Sequence, residues 1–362
     1  FAGQYPRNMQ ERRAERHNLK LQPGGNTMKR RTLLASALMS LAMMLPQGAA
    51  AEIKDRTLRF AFVNNVGHPQ EMGAAKFKEL VEAASGGKIK VVLFPGGQLG
   101  GDVQMISALQ GGNIVDMTVM NAGILANMNP EFGLFDLPFM FDSGEQADKV
   151  VDGPFGAKMN ALIEDKGLHA LGYFELGFRN VTNSARPVAT VEDLAGLKLR
   201  VVQAPIYIDL FTALGVNPTP IPFAEVYNAL EQKVVDGQEN PVSVINSAKL
   251  FEVQKYLTFT RHTYNSQIVM IGKTVWDSMD DEEKALIQKA LDEAKVYQRQ
   301  VSRDQEAAGK EALVAGGMEL TELAPEEVEK LRAAVAPVIV TFTKDLDPAL
   351  VKEFMDTVTA AR

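Results

Sequence analysis

The sequence has 362 residues, 46% hydrophobic and 23% charged, which suits a globular protein with room for two domains. It contains no cysteine, so disulfides, thiol nucleophiles and cysteine-held metals are excluded. A net charge of −7 argues against nucleic acid or an anionic membrane surface as partner.

Residues 1–27 show no apolar periodicity and precede Met28; they are read as a non-native or mis-called leader outside the fold. From Met28 a basic start (Lys29, Arg30, Arg31), an apolar run from Leu33 to Leu45 and the small residues Ala49 to Ala51 have the layout of a cleavable export signal over 28–51. The apolar run is too short for a membrane anchor. These 51 residues carry eight Lys and Arg against two Glu, so the chain that follows has 30 basic and 43 acidic side chains and a net charge of −13. That field repels anions at long range, so any site for an organic acid must be locally positive.

Leu58 to Val63 reads as a first strand, followed by the loop Asn64-Asn65-Val66-Gly67-His68. Pro69 opens an amphipathic helix through Ala84, with Met72, Ala75, Phe77, Leu80 and Val81 on or near its apolar face. A strand over 88–94, a glycine-rich turn over 95–101, a helix over 102–110 and a strand over 115–120 come next. The turn lacks both the Gly-x-Gly-x-x-Gly and the Gly-Lys-Ser/Thr of phosphate cradles. A helix from 145 to 166 and a strand from 168 to 174 lead to Arg179, placed where the chain first crosses between domains. Leu197 to Val202 is a short strand carrying Arg200, and 206–214 is helical. Pro218, Pro220 and Pro222 then force an extended segment that presents Phe223. A helix over 225–232 and a turn at Val234 to Gly237 precede Asn240, which Pro241 holds extended. A return strand over 268–272, a helix from 280 to about 316 and further helices over 325–361 complete the chain. This strand–helix alternation predicts a mainly parallel sheet covered by helices, with ligands beyond the carboxyl ends of the strands.

Enzyme chemistry has little to stand on. His68, His169 and His262 lie far apart in the sequence without metal-site spacing, and there is no Gly-x-Ser-x-Gly elbow. A carboxylate pair such as Glu225 and Glu239 could serve a hydrolase, but Asp and Glu are abundant throughout.

Three motifs carry more. Gly196-Leu-Lys-Leu-Arg-Val201, Pro222-Phe-Ala-Glu-Val-Tyr227 and Val235-Asp-Gly-Gln-Glu-Asn-Pro241 resemble the substrate-binding proteins of tripartite ATP-independent periplasmic (TRAP) transporters, the DctP family. The similarity runs from Leu58 to about Ala349 and includes the turn Pro95 to Gly100. The resemblance implies an α/β periplasmic binding protein of two lobes, type II-like, with a long helix spanning both. Lobe I would hold 52–177 with 266–305, and lobe II 178–265 with 306–362. It implies a periplasmic protein without cofactor or metal that hands a small organic acid to membrane permease subunits. Arg200 would grip the acid's carboxylate through two parallel hydrogen bonds. Asn240 would donate its amide, Arg179 add charge and Phe223 offer an apolar face, while a purely structural Arg179 is an equal alternative. From the other lobe Asn64, Asn65, His68 and Asn121 would read the rest of the ligand. With Gln203 this mostly uncharged set suits many hydroxyls, pointing to a hexuronate such as glucuronate or galacturonate. A C4-dicarboxylate, another 2-oxo or hydroxy acid, or a role as ligand-reporting partner of a sensor stay open as alternatives. Val202 departs from the Pro usual after the Arg-Val pair.

Overall fold

The computed structural model describes residues 53–362; the expected leader and export signal lie outside the described residues. The chain opens with β1 (Arg56–Ala61), α1 (Pro69–Ala84), β2 (Ile89–Phe94), α2 (Asp102–Gly111) and β3 (Met117–Asn121). His68 caps α1 by accepting from the backbone of Gln70, and Pro69 occupies the first helical turn, where its missing N–H costs nothing. The buried face of α1 is Gly73, Ala74, Phe77 and Val81, with Met72 and Ala75 at its margin. It sits slightly rotated from the apolar pattern because Gly73 is where another helix comes closest.

The expected helix over 145–166 is broken. α3 (Gly144–Val151) and α4 (Pro154–Ala161) flank Asp152-Gly153, since a residue before proline is pushed out of helical geometry. β4 (Leu168–Asn183) then runs for 16 residues, where a seven-residue strand and a crossing were expected. β5 (Lys198–Val201), α5 (Pro205–Ala213), β6 (Asn217–Pro220), α6 (Val226–Glu231), β7 (Gly237–Asn240) and α7 (Val242–Ser247) follow. β8 (Tyr256–Gly272) is a 17-residue strand of which the sequence pattern showed only the last third. After α8 (Lys273–Asp277) comes α9 (Asp281–Ala315), 35 residues long, begun by a capping box between Asp280 and Glu283. β9 (Glu319–Glu322), α10 (Pro325–Thr343) and α11 (Pro348–Ala360) close the chain.

The strands form one nine-stranded sheet in the order β2-β1-β3-β8-β4-β7-β5-β6, with β9 beside β8. The expectation of a mainly parallel sheet holds at both ends and fails in the middle. β1 pairs β2 and β3 in parallel, and β5 pairs β6 and β7 in parallel. The run β3-β8-β4-β7 is antiparallel, because β4 carries the chain into the second half of the sheet and β8 brings it back. Along β8 the partner changes from β9 at Tyr256–Phe259 to β3 at Gln267–Ile271. The β4–β8 ladder shifts register at Ala170/Gly172, Glu175/Gly177 and Arg179/Val181. Such bulges bend long strands and re-aim side chains.

α9 packs on α1 and β4 with its first half and on α7 with its second. A Cβ at Gly73 would stand 2.5 Å from Gln298 Cγ, and one at Gly309 would stand 2.5 Å from Val242 Cγ1, so glycine permits close approach at both ends. At about 1.5 Å per residue α9 extends roughly 50 Å, long enough to tie the two half-sheets together.

Candidate functional site

The half-sheets meet at a cavity beyond the carboxyl ends of β1, β3, β5 and β7, floored by β4 and β8. It encloses about 450 Å³ of space outside protein atoms, part of it open to solvent. Asn64 and Asn121 reach it from one side, and Arg200, Gln203, Phe223 and Asn240 from the other. Arg179 and Gln267 line its floor, and Asp102 enters from the first turn of α2.

Arg200 is a buried cation short of partners. Its Nε donates to Ile221 O at 2.8 Å, its guanidinium lies 5.9 Å from the Phe223 ring centre, and it forms no ion pair among the described residues. Burial lowers it to about 10, with Glu239's charge opposing, so it stays charged at neutral pH. A buried guanidinium with unused donors facing a cavity is a site for an anion.

Arg179 is different. Its Nε and Nη2 bind the Glu239 carboxylate, Nη2 also reaches Glu239 O at 2.5 Å, and Nη1 donates to Asn265 Oδ1 at 2.7 Å. Burial would raise the Glu239 carboxyl, but Arg179's charge and hydrogen bonds from His262 and Arg179 hold it below the usual range. His262 Nε2 sits 3.2 Å from Glu239 Oε2, and its Nδ1 sits 2.8 Å from Thr260 Oγ1. Arg179's charge is therefore answered within the protein. The even alternative drawn from the sequence, a structural Arg179, describes these contacts, and the suggestion that it adds free charge does not. Glu239 is likewise committed, while Glu225 is exposed, so the two form no hydrolytic pair.

The asparagines are mostly held by neighbours. Asn64 Nδ2 donates to Gln70 Oε1 at 2.9 Å. Asn121 Oδ1 accepts from Gly123 N at 2.8 Å, and its Nδ2 lies 3.2 Å from both Tyr207 Oη and Asn265 Oδ1. Asn240 Nδ2 donates to Gln238 Oε1 at 2.5 Å. Gln203 accepts at its backbone from Asn127 Nδ2 at 2.8 Å, a bond between the two sides of the cleft.

Two expected residues stand apart from this cavity. Asn65 is exposed and lines a neighbouring depression with Gly96 and Ala224. His68 is fully buried, its Nδ1 occupied by the cap of α1, and burial lowers it to about 3. The loop that carries both makes a turn, so consecutive residues face different ways. The sequence reading also missed two polar lining residues. Asp102 follows the glycine turn at the start of a helix, and burial raises its carboxyl to about 7 with Arg200's charge opposing. Gln267 lies inside a strand that the hydrophobic pattern did not show. Among the described residues no cluster of His, Asp and Glu could hold a metal ion.

The model for bacterial extracellular solute-binding proteins, family 7 (DctP), matches residues 60–345. The chain belongs to this family. It is thus the substrate-binding component of a TRAP transporter and not an enzyme, and proteins of the family are periplasmic. The 2,3-diketo-L-gulonate-binding periplasmic protein YiaO of Escherichia coli is 40% identical over 71% of this chain and 79% of its own. A TRAP periplasmic solute-binding protein from Ochrobactrum anthropi is 54% identical, with a TM-score of 0.76 over 86% of this chain and 97% of that one. The sugar acid binding protein DctPAm of Advenella mimigardefordensis, in complex with galactonate, is 38% identical with a TM-score of 0.84 over 86% of this chain and all of the other. The chain has the two-lobe fold of these TRAP periplasmic binding proteins.

Proposed function

We propose that this DctP-family protein captures a hexuronate such as glucuronate or galacturonate in the periplasm and hands it to the membrane subunits of its TRAP transporter. The single observation that carries this is Arg200, a buried guanidinium without an ion-pair partner among the described residues, facing a cavity whose polar side chains are mostly uncharged amides. The ligand carboxylate takes the free donors of Arg200, the carbon skeleton lies against Phe223, and Asn240 and Gln203 complete one wall. Asn64 and Asn121 form the opposite wall, while Asn65 and His68 act indirectly through the loop between β1 and α1. Arg179 orients Glu239 and Asn265 beneath the ligand. The galactonate in the Advenella neighbour supports a sugar acid, and a C4-dicarboxylate is the alternative.

The lobes on this reading are 52–177 with 266–305 and 178–265 with 306–362, supported by the change of partner along β8. A ligand touching both lobes favours the closed state by its preference for that state. Closure is what the permease would recognise, after an export signal has been removed near Ala51.

The experiment is a thermal-shift and calorimetric screen of hexuronates, aldonates, C4-dicarboxylates and 2-oxo acids against the protein and its Arg200→Ala variant. Saturation at a thousandfold the Kd adds about 4 kcal/mol, a rise of several degrees. Arg200→Ala should abolish the rise for every acid. A variant that binds as tightly as the parent refutes the anchor.

A further inference from the structure

The cavity holds two more polar groups without partners, and both are acceptors. Asp102 Oδ1 and Gln267 Oε1 are buried and make no hydrogen bond. They come from different elements, α2 and β8, yet line the same cavity as Arg200. Buried acceptors without donors are rare, because each forfeits its bonds to water with nothing in return. Arg200 does not satisfy Asp102, since the two form no ion pair although Arg200's charge acts on its carboxyl. Three of the other lining amides are engaged through their side chains, Asn64 with Gln70, Asn121 with Gly123 and Asn240 with Gln238, and Gln203 is bonded only through its backbone carbonyl. The cavity therefore presents surplus donors at Arg200 and surplus acceptors at Asp102 and Gln267.

We infer that Asp102, aided by Gln267, is the specificity residue that accepts hydrogen bonds from the ligand's hydroxyls and selects a polyhydroxy monocarboxylate against a dicarboxylate. The inference rests on the reading that Arg200 binds the ligand's carboxylate. A hydroxyl donates to either oxygen and satisfies it. A second carboxylate offers no proton to either oxygen, and above pH 7, where Asp102 is ionised, it would stand against a like charge. In such a site the anchor would be shared by both kinds of small acid, and Asp102 with Gln267 would discriminate between them. Asp102 belongs to the first half of the chain and Arg200 to the second, so a ligand held by both also bridges the cleft.

The test is calorimetric titration of galacturonate, glucuronate, galactonate and succinate into the protein, Asp102→Asn, Gln267→Leu and Arg200→Ala. The protein should bind at least one sugar acid more than about a hundredfold tighter than succinate. Asp102→Asn should weaken that sugar acid by about tenfold or more, the loss of a charge-assisted hydrogen bond, while succinate binds equally well or better. Gln267→Leu should weaken the sugar acid less and leave succinate unchanged. Thermal unfolding of each variant verifies that it is folded. If Arg200→Ala removes binding but Asp102→Asn keeps the parent's affinities within about threefold, this inference is overturned and the carboxylate anchor stands. A parent that prefers succinate overturns it too. If Arg200→Ala binds like the parent, the anchor itself is wrong and this inference falls with it.

Discussion

Replacing Glu239 by Gln tests how the centre of the cleft is held together. Glu239 is fully buried and accepts from Nε and Nη2 of Arg179, a side chain only 2% exposed, and it contacts His262. The substitution preserves shape and one acceptor oxygen but removes the negative charge, leaving a guanidinium in the interior without its counterion. Breaking a buried pair on one side costs about 3–5 kcal/mol. Besides the amide oxygen, two acceptors remain for Arg179, Asn265 Oδ1 at 2.7 Å and the residue's own carbonyl oxygen at 2.5 Å, which place the expected loss near the lower figure. About 3 kcal/mol is roughly 6 °C in Tm for a chain of this size. Urea unfolding at pH 7 should show a lower midpoint with an unchanged m-value. Arg179→Gln combined with Glu239→Gln should be less destabilised than the two single losses summed, by about 1.5 kcal/mol or more. A loss below about 1 kcal/mol for Glu239→Gln, or a cycle without coupling, would refute the view that Arg179 is spent on Glu239 and reopen it as a second free anchor.

Other consequences follow from single contacts. Gly73→Ala should destabilise by about 1–3 kcal/mol in urea, because its Cβ would meet Gln298, whose amide bonds both the N–H and the carbonyl of Glu175, and Phe174. Gly111→Ala, at a helical glycine with open space around it, should be neutral or gain up to about 1 kcal/mol. Asp102 has its folded pKa raised from 3.8 to about 7, so its contribution to stability is full below 3.8 and is lost as pH rises through 7. Asp102→Asn should accordingly melt higher than the parent at pH 8, with the advantage shrinking towards pH 4. Burial would raise Glu283, but hydrogen bonds from Arg56 and from the backbone of Lys54 and Asp280 bring it down to about 2. Its contribution is present above 4.5 and is lost as pH falls towards 2. Arg56→Ala should flatten the decline in stability over that interval, which acid titration followed by circular dichroism would reveal.

Local features of the sequence were enough for the elements with strong punctuation. Pro69 and the stop at Ser85 bound α1, and the acidic cluster at Asp280 starts α9, because proline, glycine and capping carboxylates act within one helical turn. The three motifs likewise name Arg200, Phe223 and Asn240, which share one cavity although 40 positions separate the first from the last. The long strands were another matter. β8 reads as polar through Thr258, Thr260, Thr263, Asn265 and Gln267, all buried; Thr258, Thr260 and Asn265 hydrogen-bond within the interior, and Gln267 faces the cavity. A pattern of hydrophobicity cannot register a strand whose inward residues are polar.

What the sequence determined by itself is α1, α2, α5, α6 and α9, the parallel ends of the sheet and a family membership that points to Arg200. Tertiary structure decided which charges are free. Arg179 and Arg200 look alike in the chain, each an Arg beside a strand, but pairing of β4 with β7 brings Glu239 to the first and not to the second. The same is true of His68, consumed by a helix cap, and of Asp102, left facing a cavity with nothing to donate to it. Partner choice is a property of distances between residues far apart in the chain. The electrostatics of a site are therefore settled only when the strands have found their neighbours.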